Sequence, residues 1–331
     1  MPAAPRITVL MSVYNGAPYL RESIDSILAQ TYRDVQFVIV DDGSTDASLS
    51  IIRSYRDPRM LVIAQANQGL AAGLNRGLRE AAGAFIARQD QDDVSLPGRL
   101  AAQLAYLDAH PRVGVVGTSV IRLHADGRPF GVVRGPSASL LLQWRLLFLN
   151  PFVHSSVMIR RAALDDVGAY TTDPSRQPPE DYELWSRLAQ RWELGMVPRR
   201  LHCYREATGG MVASASAFYR NGARISLENL RRLGVSLPVP RLERAFEVVR
   251  GMRHPAHPRE AADAIADLRV IERAFIRWHQ LPPAAQLRLR LYTRPRWVKQ
   301  RLLWAWAGDT QRKAAEQAQA AYGATHASAE R

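Results

Sequence analysis

The sequence predicts an α/β protein with a mostly parallel sheet flanked by helices, followed by a helical extension. Two observations carry this prediction. In the first half of the chain, short apolar runs rich in β-branched residues alternate with amphipathic stretches of helical length, as in βαβ units. From about residue 214 the pattern is helical, with proline-containing joints at 238–240 and 282–283. We therefore divide the chain near 210, into a domain of residues 1–210 and a region of residues 211–331.

The elements of the first domain follow from local pattern. The run ITVLMSVY at 7–14 is apolar and β-branched, which indicates a buried strand, and Pro18 suits the first turn of an amphipathic helix that extends to Gln30. The same reasoning predicts further strands at 35–40, 60–64, 84–88 and 113–123, and an apolar run at 153–159. It predicts further helices ending at about Tyr55 and covering 69–82, 97–110, 137–149 and 180–192, and a hairpin turn at 125–127.

Three acidic residues, Asp90, Asp92 and Asp93, follow the predicted strand at 84–88. Carboxylates so close together repel one another unless solvent or a cation separates them. Mg²⁺ and similar hard cations take oxygen ligands, commonly one or two carboxylates together with substrate phosphates. A solvated acidic turn accounts for the same residues equally well, so the cluster alone leaves both interpretations open.

A second acidic group, from Asp41 to Asp46, follows the predicted strand at 35–40. Gly43 permits a tight turn and Asp46 suits a cap on the following helix, which leaves Asp41 and Asp42 beyond what a cap requires. A carboxylate at this position can accept hydrogen bonds from a base or a ribose. Because ligands of such sheets bind at the carboxyl ends of the strands, both acidic groups should share one edge.

A third acidic pair, Glu180 and Asp181, opens a predicted helix. The helix dipole stabilises acidic residues at a helix N-terminus, and this alone can explain the pair. An aspartate held there would also be ionised at neutral pH and could act as a general base toward a hydroxyl group.

Taken together, the three acidic motifs resemble those of the family 2 glycosyltransferases, which have a GT-A (Rossmann-like) fold. The resemblance rests on DDGSTD from Asp41, the D-x-D motif of Asp90 and Asp92, and the later E-D pair that ends with Asp181. It covers residues 6–205 and not the C-terminal third. Other matching positions are Ser12, Val13, Tyr14, Asn15, Asn67, Gly69, Asn75, Arg99, Leu100, Gln103 and the stretches 154–158 and 168–170.

The resemblance implies an inverting glycosyltransferase (EC 2.4 class) that moves a sugar from a nucleotide-diphosphate donor, UDP foremost, to an acceptor hydroxyl. The implied acceptor is a saccharide or lipid-linked saccharide of a cell-surface polysaccharide or lipopolysaccharide. Asp90 and Asp92 would ligate Mn²⁺ or Mg²⁺, and Asp181, with Glu180, would supply the catalytic base. The residues expected to bind the donor are Ser12, Tyr14, Asn15, Asp41, Asp42, Asn67, Arg88 and Asp90. Arg88 flanks the acidic loop and could contact the diphosphate or pair with the aspartates; for Arg99 we favour pairing.

Processive members of that family carry a Q-x-x-R-W motif and membrane-spanning helices. Here Gln190-Arg191-Trp192 has the wrong spacing, and no apolar run is long enough to span a membrane. The single cysteine, Cys203, fits a reducing compartment. We therefore expect a non-processive, cytoplasmic enzyme.

A metal-dependent nucleotidyltransferase is the first alternative. It would also be α/β, but a glycine-rich, basic phosphate loop would be expected where the chain runs from Ser12 to Gly16. Gly69, Gly73 and Gly77 match neither a dinucleotide-binding nor a P-loop motif, and suit the close packing of a helix on the sheet.

A non-enzymatic nucleic-acid-binding protein is the second alternative. The net charge is +13, and residues 211–331 hold 21 basic and 10 acidic residues, against 23 and 21 in residues 1–210. Almost all of the basic residues in the whole chain are arginines, with lysine only at 299 and 313. Genome composition explains so uniform a bias better than a binding function, so no nucleic-acid partner is expected.

The C-terminal region contains a basic, tryptophan-bearing segment from Arg294 to Trp306 with apolar residues at helical spacing. Such helices can lie in an anionic membrane interface, which would make the enzyme peripheral on the inner face of the membrane. Packing on the first domain or in a homodimer explains the segment equally well. Residues 308–331, rich in Ala and Gln, are expected to be flexible.

Overall fold

The computed structural model describes residues 4–206, 215–250 and 258–306, and in the last range side chains are described as far as Arg294. The side chains after Arg294 in the predicted membrane segment, and the predicted tail 308–331, lie outside this description. The chain divides into two compact units, residues 1–226 and 227–331. The boundary predicted near 210 stays a prediction.

One mixed sheet holds the nine strands of the described residues. These are β1 Ile7–Val13, β2 Val35–Asp42, β3 Met60–Gln65, β4 Phe85–Gln89, β5 Val94–Ser95, β6 Val113–Leu123, β7 Pro129–Val133, β8 Met158–Arg160 and β9 Glu193–Arg205. Their order is β3-β2-β1-β4-β8-β6-β9-β5, with β7 paired to β6. The first four strands are parallel, whereas β8 is antiparallel to both of its neighbours. The α/β fold predicted from the sequence is confirmed.

The helices of the first unit connect these strands. They are α1 Ala17–Leu28, α2 Ser48–Ser54, α3 Leu70–Glu80, α4 Arg99–Ala109, α5 Ser139–Leu146, α6 Arg161–Val167 and α7 Glu180–Leu188, with a short 3-10 helix, η1, at His154–Ser156. The helix α8, Ala215–Arg232, spans the division between the units. It is followed by α9 Val239–Arg250, α10 Pro258–Trp278 and α11 Pro283–Trp306.

The central strands β1, β2 and β4 of the first unit are buried on both faces, whereas β3 and β7 also carry exposed side chains. Along β1, Val9 and Met11 lie in one hydrophobic cluster, while Leu10 between them lies in the other. Ile24 of α1 packs in the first cluster and Leu74 of α3 in the second. A strand covered on both sides reads as a continuous apolar run, which is why β1 and β2 were predictable without any alternation.

The strand β9 is the largest element that the sequence pattern does not predict. Its apolar run is interrupted by Pro198, Arg199 and Arg200, and the pairing with β6 shifts register at this point. Proline and exposed arginines inside a strand are tolerated at such an irregularity, but they conceal the strand in the sequence.

The parallel order places the acidic loops together. β2 and β4 both pair in parallel with β1, so their carboxyl ends lie at the same edge of the sheet, on either side of the loop that follows β1. This is the edge at which the sequence argument expects a ligand.

Among the residues that the structure describes, no helix is long and apolar enough to cross a membrane.

Gly77 lets α3 pack closely on β1 and β2. A Cβ at this position would lie 2.2 Å from Leu10 Cδ1 and 3.2 Å from Val40 Cγ2. We expect Gly77→Ala to lower the free energy of unfolding by about 1–3 kcal/mol through overpacking, even though alanine is favoured in helices by roughly 1 kcal/mol. The measurement is denaturant unfolding. Gly98→Ala is the matched control, because nothing lies within 4 Å of its added Cβ; equal stability of the two variants would contradict the close packing.

Candidate active site

The two aspartates at the end of β2 are used differently. Asp42 accepts hydrogen bonds from the Gln65 side chain (2.7 Å) and from the amides of Gln68 (3.1 Å) and Gly69 (2.8 Å). Both of its oxygens are therefore occupied in holding the following loop. Asp41 is buried as well, and its Oδ1 is a buried oxygen without a hydrogen-bond partner in the described part of the chain.

An unpartnered buried carboxylate oxygen is rare, because it forfeits hydrogen bonds to water without replacing them. The other oxygen of Asp41 accepts from the Ser44 amide at 3.3 Å. Gly43, at φ +77°, turns the chain so closely that a Cβ there would lie 2.7 Å from the Asn67 nitrogen. The Asn67 side chain is exposed at this loop. Asp41 Oδ1 is thus the acceptor at this edge that a ligand N–H or O–H could satisfy.

The loop after β1 is tied to its neighbours on both sides. The Asn15 amide donates to Ser44 Oγ (3.1 Å), and Asn15 Oδ1 accepts from the Thr45 amide (2.8 Å). Gln91, the central residue of the D-x-D motif, bonds both backbone groups of Tyr14, at 2.8 and 3.1 Å. The Tyr14 ring is 49% exposed, so an open aromatic face stands between the two acidic loops.

Two further residues at this edge of the sheet, Ser12 and Asp46, contact other parts of the protein. Ser12 is buried, and a Cβ on Gly73 would come within 2.4 Å of its Oγ, so α3 packs against it. Asp46 accepts from the amides of Ala17 (3.1 Å) and Ser48 (2.9 Å), the first residues of α1 and α2. Burial tends to raise the pKa of Asp46, but these hydrogen bonds hold it below its ordinary value. Asp46 therefore binds the first amide of each of two helices, although it is not the N-cap residue predicted for α2, which is Ala47.

Asp90 is held by a wholly buried arginine. Arg88 donates to Asp90 Oδ1 at 2.5 Å and also to the backbone oxygens of Gln89 and Leu10. Burial tends to raise the pKa of Asp90, but the Arg88 charge, with His154, keeps it below its ordinary value. Arg88 thus pairs with Asp90, and direct contact of Arg88 with a diphosphate stays a prediction.

Asp92 has the opposite electrostatic environment. Burial and the neighbouring charges of Asp90 and Asp93 raise the pKa of Asp92 to about 7. Apart from the Asp92 amide itself, no group within the described ranges forms a hydrogen bond or ion pair with this carboxylate. A cation beside Asp92 would remove the repulsion that raises its pKa.

Asp93 is the buried anchor of the loop. Its Oδ1 accepts from the Arg205 amide (2.8 Å), and its Oδ2 contacts Ser155 Oγ and His202 Nε2 (3.2 Å). All of these side chains are buried. Burial and the Asp90 charge raise the pKa of Asp93 to about 7, and burial lowers the pKa of His202 well below its ordinary value. Since Asp93, Ser155 and His202 are all fully buried, the contacts of this Ser-His-Asp group hold the loop in position.

Arg99 was expected to pair with the acidic loop, and the structure corrects this. Its guanidinium donates to neutral oxygens, none of them a carboxylate. They belong to Gln103 (3.1 Å), Gln89 (3.0 Å), Ser95 (2.6 Å) and the backbone of Arg88 (2.6 Å) and Val157 (3.1 Å). Burial, chiefly, lowers the pKa of Arg99 to about 9. This side chain joins α4 to β4, to β5 and to the residue that precedes β8.

Arg205, at the end of β9, is a positioning residue that the sequence argument missed. Its Nε donates to the Asp92 backbone oxygen (3.0 Å), a terminal nitrogen pairs with Glu22 (2.6 Å), and the guanidinium lies 4.5 Å from the Tyr19 ring centroid. It therefore joins the D-x-D loop to α1. A single arginine at the end of an unpredicted strand gives no motif from which this role could have been found.

The E-D pair lies at the start of α7, and its two members have different partners. Glu180 Oε1 lies 3.5 Å from His154 Nδ1, and His154 Nε2 lies 2.9 Å from the Tyr170 hydroxyl. Asp181 accepts from the Asn150 side chain (2.5 Å) and from the Tyr182 amide (2.7 Å). Asn75 holds Tyr170, the partner of His154, in position. The Asn75 side chain forms hydrogen bonds with both the carbonyl and the amide of Tyr170, at 2.8 and 3.0 Å.

The environments of Glu180 and Asp181 separate their pKa values. Burial tends to raise the pKa of Glu180, but the hydrogen bond and charge of His154 hold it below its ordinary value. Burial, and to a smaller extent the Glu180 charge, raise the pKa of Asp181 to about 6, against the lowering effect of His154. Neighbouring carboxyl groups separated in this way are suited to different tasks, and Asp181 is the more basic.

The helix η1 links the two acidic regions. Its first residue, His154, contacts Glu180, and the next, Ser155, contacts Asp93. Arg88 and Asp90 are close enough to Glu180 and His154 to shift pKa values across the gap. The D-x-D motif and the E-D pair therefore face one common region.

The D-x-D motif offers the carboxylates of Asp90 and Asp92 as ligands for a metal ion. No group of three or more His, Cys, Asp and Glu in the described residues is arranged to hold a metal by itself. Apart from the Asp92 amide, the Asp92 carboxylate and the second oxygen of Asp90 have no protein partner within the described ranges. Two carboxylates with open oxygens fit a Mg²⁺- or Mn²⁺-type cation that takes its remaining ligands from substrate phosphates and water.

Solved structures share this architecture. TarS 1–349 of S. aureus matches with a TM-score of 0.56 at 19% identity, over 81% of this chain and 82% of that chain. The mannosyltransferase PcManGT from Pyrobaculum calidifontis, in complex with GDP-Man and Mn²⁺, matches with a TM-score of 0.51 at 22% identity, over 93% and 89%. The mixed sheet, with acidic loops after the two strands that flank β1, has the GT-A fold of these glycosyltransferases.

Sequence comparison gives the family. The model of glycosyl transferase family 2 matches residues 8–168. EpsE of Bacillus subtilis, named as a glycosyltransferase, is 32% identical over 240 residues, which are 69% of this chain and 81% of that protein. The amylovoran biosynthesis glycosyltransferase AmsE of Erwinia amylovora is 31% identical over 186 residues, 55% and 68%. The chain belongs to glycosyl transferase family 2.

Arg205 provides a test of how the D-x-D loop is held. We expect Arg205→Ala to lower the free energy of unfolding by about 2–4 kcal/mol, because the buried guanidinium loses its hydrogen bond to the Asp92 carbonyl together with its ion pair to the more exposed Glu22. Arg122→Ala is the matched control. Arg122 also pairs with a glutamate, Glu206, but both side chains are exposed and the pair should contribute less than about 1 kcal/mol. Urea unfolding of both variants is the measurement, and equal losses would show that Arg205 is no anchor.

Proposed function

We propose that the protein is a non-processive, inverting glycosyltransferase that moves a sugar from a UDP-sugar to a hydroxyl group of a saccharide or lipid-linked saccharide. The observation that carries the proposal is a pair of carboxylates with unmatched oxygens at one edge of the sheet: Asp41 at the end of β2 and Asp92 in the loop after β4, the two strands that flank β1. One suits a nucleoside and the other a cation on its diphosphate. Family membership leaves no support for the nucleotidyltransferase and nucleic-acid interpretations.

The nucleoside would bind between the loops after β1 and β2. Asp41 Oδ1 would accept a base N–H or a ribose hydroxyl, and the exposed Tyr14 ring would lie beside the base. Asp42 and Asn15 would act indirectly, by fixing the loops. The buried Ser12 would support these loops through its packing against α3, and the exposed side-chain amide of Asn67 would be available to the ligand. TarS has been solved with UDP-GlcNAc, which favours UDP, while PcManGT with GDP-Man keeps GDP as the second candidate.

The diphosphate would lie over the D-x-D motif. Asp92, with Asp90, would hold Mn²⁺ or Mg²⁺, which as a Lewis acid would stabilise the charge that grows on the leaving diphosphate. Arg88 keeps Asp90 ionised for this purpose, and Asp93 with Arg205 fixes the backbone of the loop. The Mn²⁺ in the PcManGT complex supports manganese.

Asp181 would act as the general base. It would take the proton of the acceptor hydroxyl as that oxygen forms a bond to the anomeric carbon, while the bond from that carbon to the diphosphate oxygen breaks. Direct displacement inverts the anomeric centre. Glu180, engaged by His154, would stay ionised and orient the acceptor side.

The biological setting is inferred from relatives. AmsE is named for the biosynthesis of amylovoran, and this supports a function in making a cell-surface polysaccharide. The cytoplasmic location and a homodimer formed through the helical C-terminal region stay predictions.

Nucleotide binding is the first prediction from this mechanism. Calorimetric titration with UDP, dTDP and GDP, with and without Mn²⁺, should show one preferred nucleotide and a requirement for metal. Asp41→Asn should weaken its binding by about 10- to 100-fold, since a charge-assisted hydrogen bond is lost. Asp92→Ala should abolish the effect of Mn²⁺.

Asp165→Asn is the control for both variants, because this aspartate is exposed on α6 and should bind like the wild type. Failure of all three nucleotides in the presence of metal would contradict the proposed donor site.

Catalysis by Asp181 is the second prediction. Asp181→Asn should lower kcat by about 10²- to 10⁴-fold while leaving UDP affinity unchanged, because the base acts in the transition state and not in donor binding. The pKa of Asp181 is raised to about 6, so the wild-type rate should fall as the pH falls through 6 and the carboxylate becomes protonated. The assay follows UDP release from the preferred UDP-sugar with water or a saccharide as acceptor. An unchanged kcat would exclude Asp181 as the base.

A further inference from the structure

The second unit carries an exposed apolar surface. The three most exposed large apolar side chains of the described residues are Leu291 (66%), Trp278 (59%) and Leu287 (59%). Trp278 ends α10, and Leu287 and Leu291, one helical turn apart, lie on one side of α11. Leu289 and Thr293 on the other side of α11 are buried, so the part of this helix whose side chains are described, 283–294, is packed along one side and exposed along the other.

The same stretch of chain carries charge of one sign. Residues 273–308 include eight arginine or lysine residues, no aspartate or glutamate, and four of the seven tryptophans. Arg290 lies 3.7 Å from Glu272, the last acidic residue before this stretch. The exposed arginines that have no ion pair with any described residue are Arg273, Arg277, Arg288 and Arg294.

We propose that this surface binds an anionic lipid bilayer. We define it by six exposed residues: Arg277, Trp278, Leu287, Arg288, Leu291 and Arg294. The tryptophan and leucine side chains would enter the boundary between headgroups and acyl chains, and the arginines would stay at the level of the lipid phosphates. The remaining basic residues and tryptophans of α11 continue the same composition to Trp306. The proposal is independent of the reaction proposed above.

The positive charge of the surface favours an anionic bilayer over a second copy of the chain, and its apolar residues favour a bilayer over a nucleic acid. In a two-fold dimer the surface would face its own copy, and the unpaired arginines of both subunits would be brought together. A nucleic acid would satisfy the arginines but would leave Leu287 and Leu291 against a charged backbone. A bilayer with anionic headgroups satisfies both the apolar and the basic residues at once.

Vesicle sedimentation of the full chain tests the proposal. The protein should bind vesicles of phosphatidylglycerol and phosphatidylcholine at least tenfold more tightly than vesicles of phosphatidylcholine alone, because each basic residue near an anionic surface contributes roughly fivefold. Raising the salt from about 0.1 M to about 0.5 M should release most of the protein.

Three variants separate the apolar contribution to vesicle binding from the electrostatic one. The triple variant Trp278→Ser, Leu287→Ser, Leu291→Ser should weaken binding to the anionic vesicles about tenfold or more. The triple variant Arg277→Gln, Arg288→Gln, Arg294→Gln should weaken it by about 100-fold at low salt. The matched control is Leu61→Ser, Val132→Ser, Val133→Ser, three side chains of the first unit that are each 37% exposed, and it should bind vesicles like the wild type.

Calorimetry with UDP and Mn²⁺ on each variant distinguishes this proposal from the proposed reaction, since none of these residues belongs to the candidate active site. A wild-type protein that ignores anionic vesicles would overturn the proposal, as would an apolar triple variant that binds them undiminished. So would a wild-type dimer that the apolar triple variant converts to monomers, because the surface would then be a subunit interface.

Discussion

The burial of several carboxylates at one edge of the sheet is the constraint on which the candidate site depends. Asp41, Asp90, Asp92 and Asp93 lie on neighbouring loops, and buried negative charges so close together oppose folding unless they are compensated. The compensation comes from buried groups that differ for each carboxylate: an arginine for Asp90, and a hydroxyl, an imidazole and an amide for Asp93. Where compensation is incomplete, at Asp41 and Asp92, the protein leaves room for a ligand.

Much of the first unit could be predicted because its strands are covered on both faces and therefore read as uninterrupted apolar runs. The positions of the acidic groups followed from those strands, since parallel neighbours end at the same edge. Which acidic residues form hydrogen bonds within the protein and which keep a free oxygen could not be predicted. Asp41 and Asp42 are identical and adjacent in sequence, yet one binds its own loop completely and the other keeps a free oxygen. That difference depends on the turn at Gly43, where the returning loop determines which carboxylate it meets.

Long-range partners were equally hidden. Arg205 lies more than a hundred positions from Asp92, in a strand that Pro198 and two arginines conceal, so no local pattern could connect them. Arg99 shows the converse error: proximity in sequence to an acidic loop suggested an ion pair, but its side chain enters the core and bonds neutral oxygens. The sequence indicates which residues carry groups that could bind a ligand or take part in a reaction. Packing determines which of those groups remain free to do so.

The helix η1 has a consequence for how such an enzyme could diversify. Two consecutive residues of one short turn contact different acidic regions, His154 the E-D pair and Ser155 the loop of the D-x-D motif, which the proposed mechanism assigns to the acceptor and the donor. A change that displaced this turn would disturb both halves together, so selection for a new acceptor cannot easily act there. In the proposed mechanism, acceptor preference would therefore change more readily through residues that contact the E-D pair alone, such as Asn150, than through this turn.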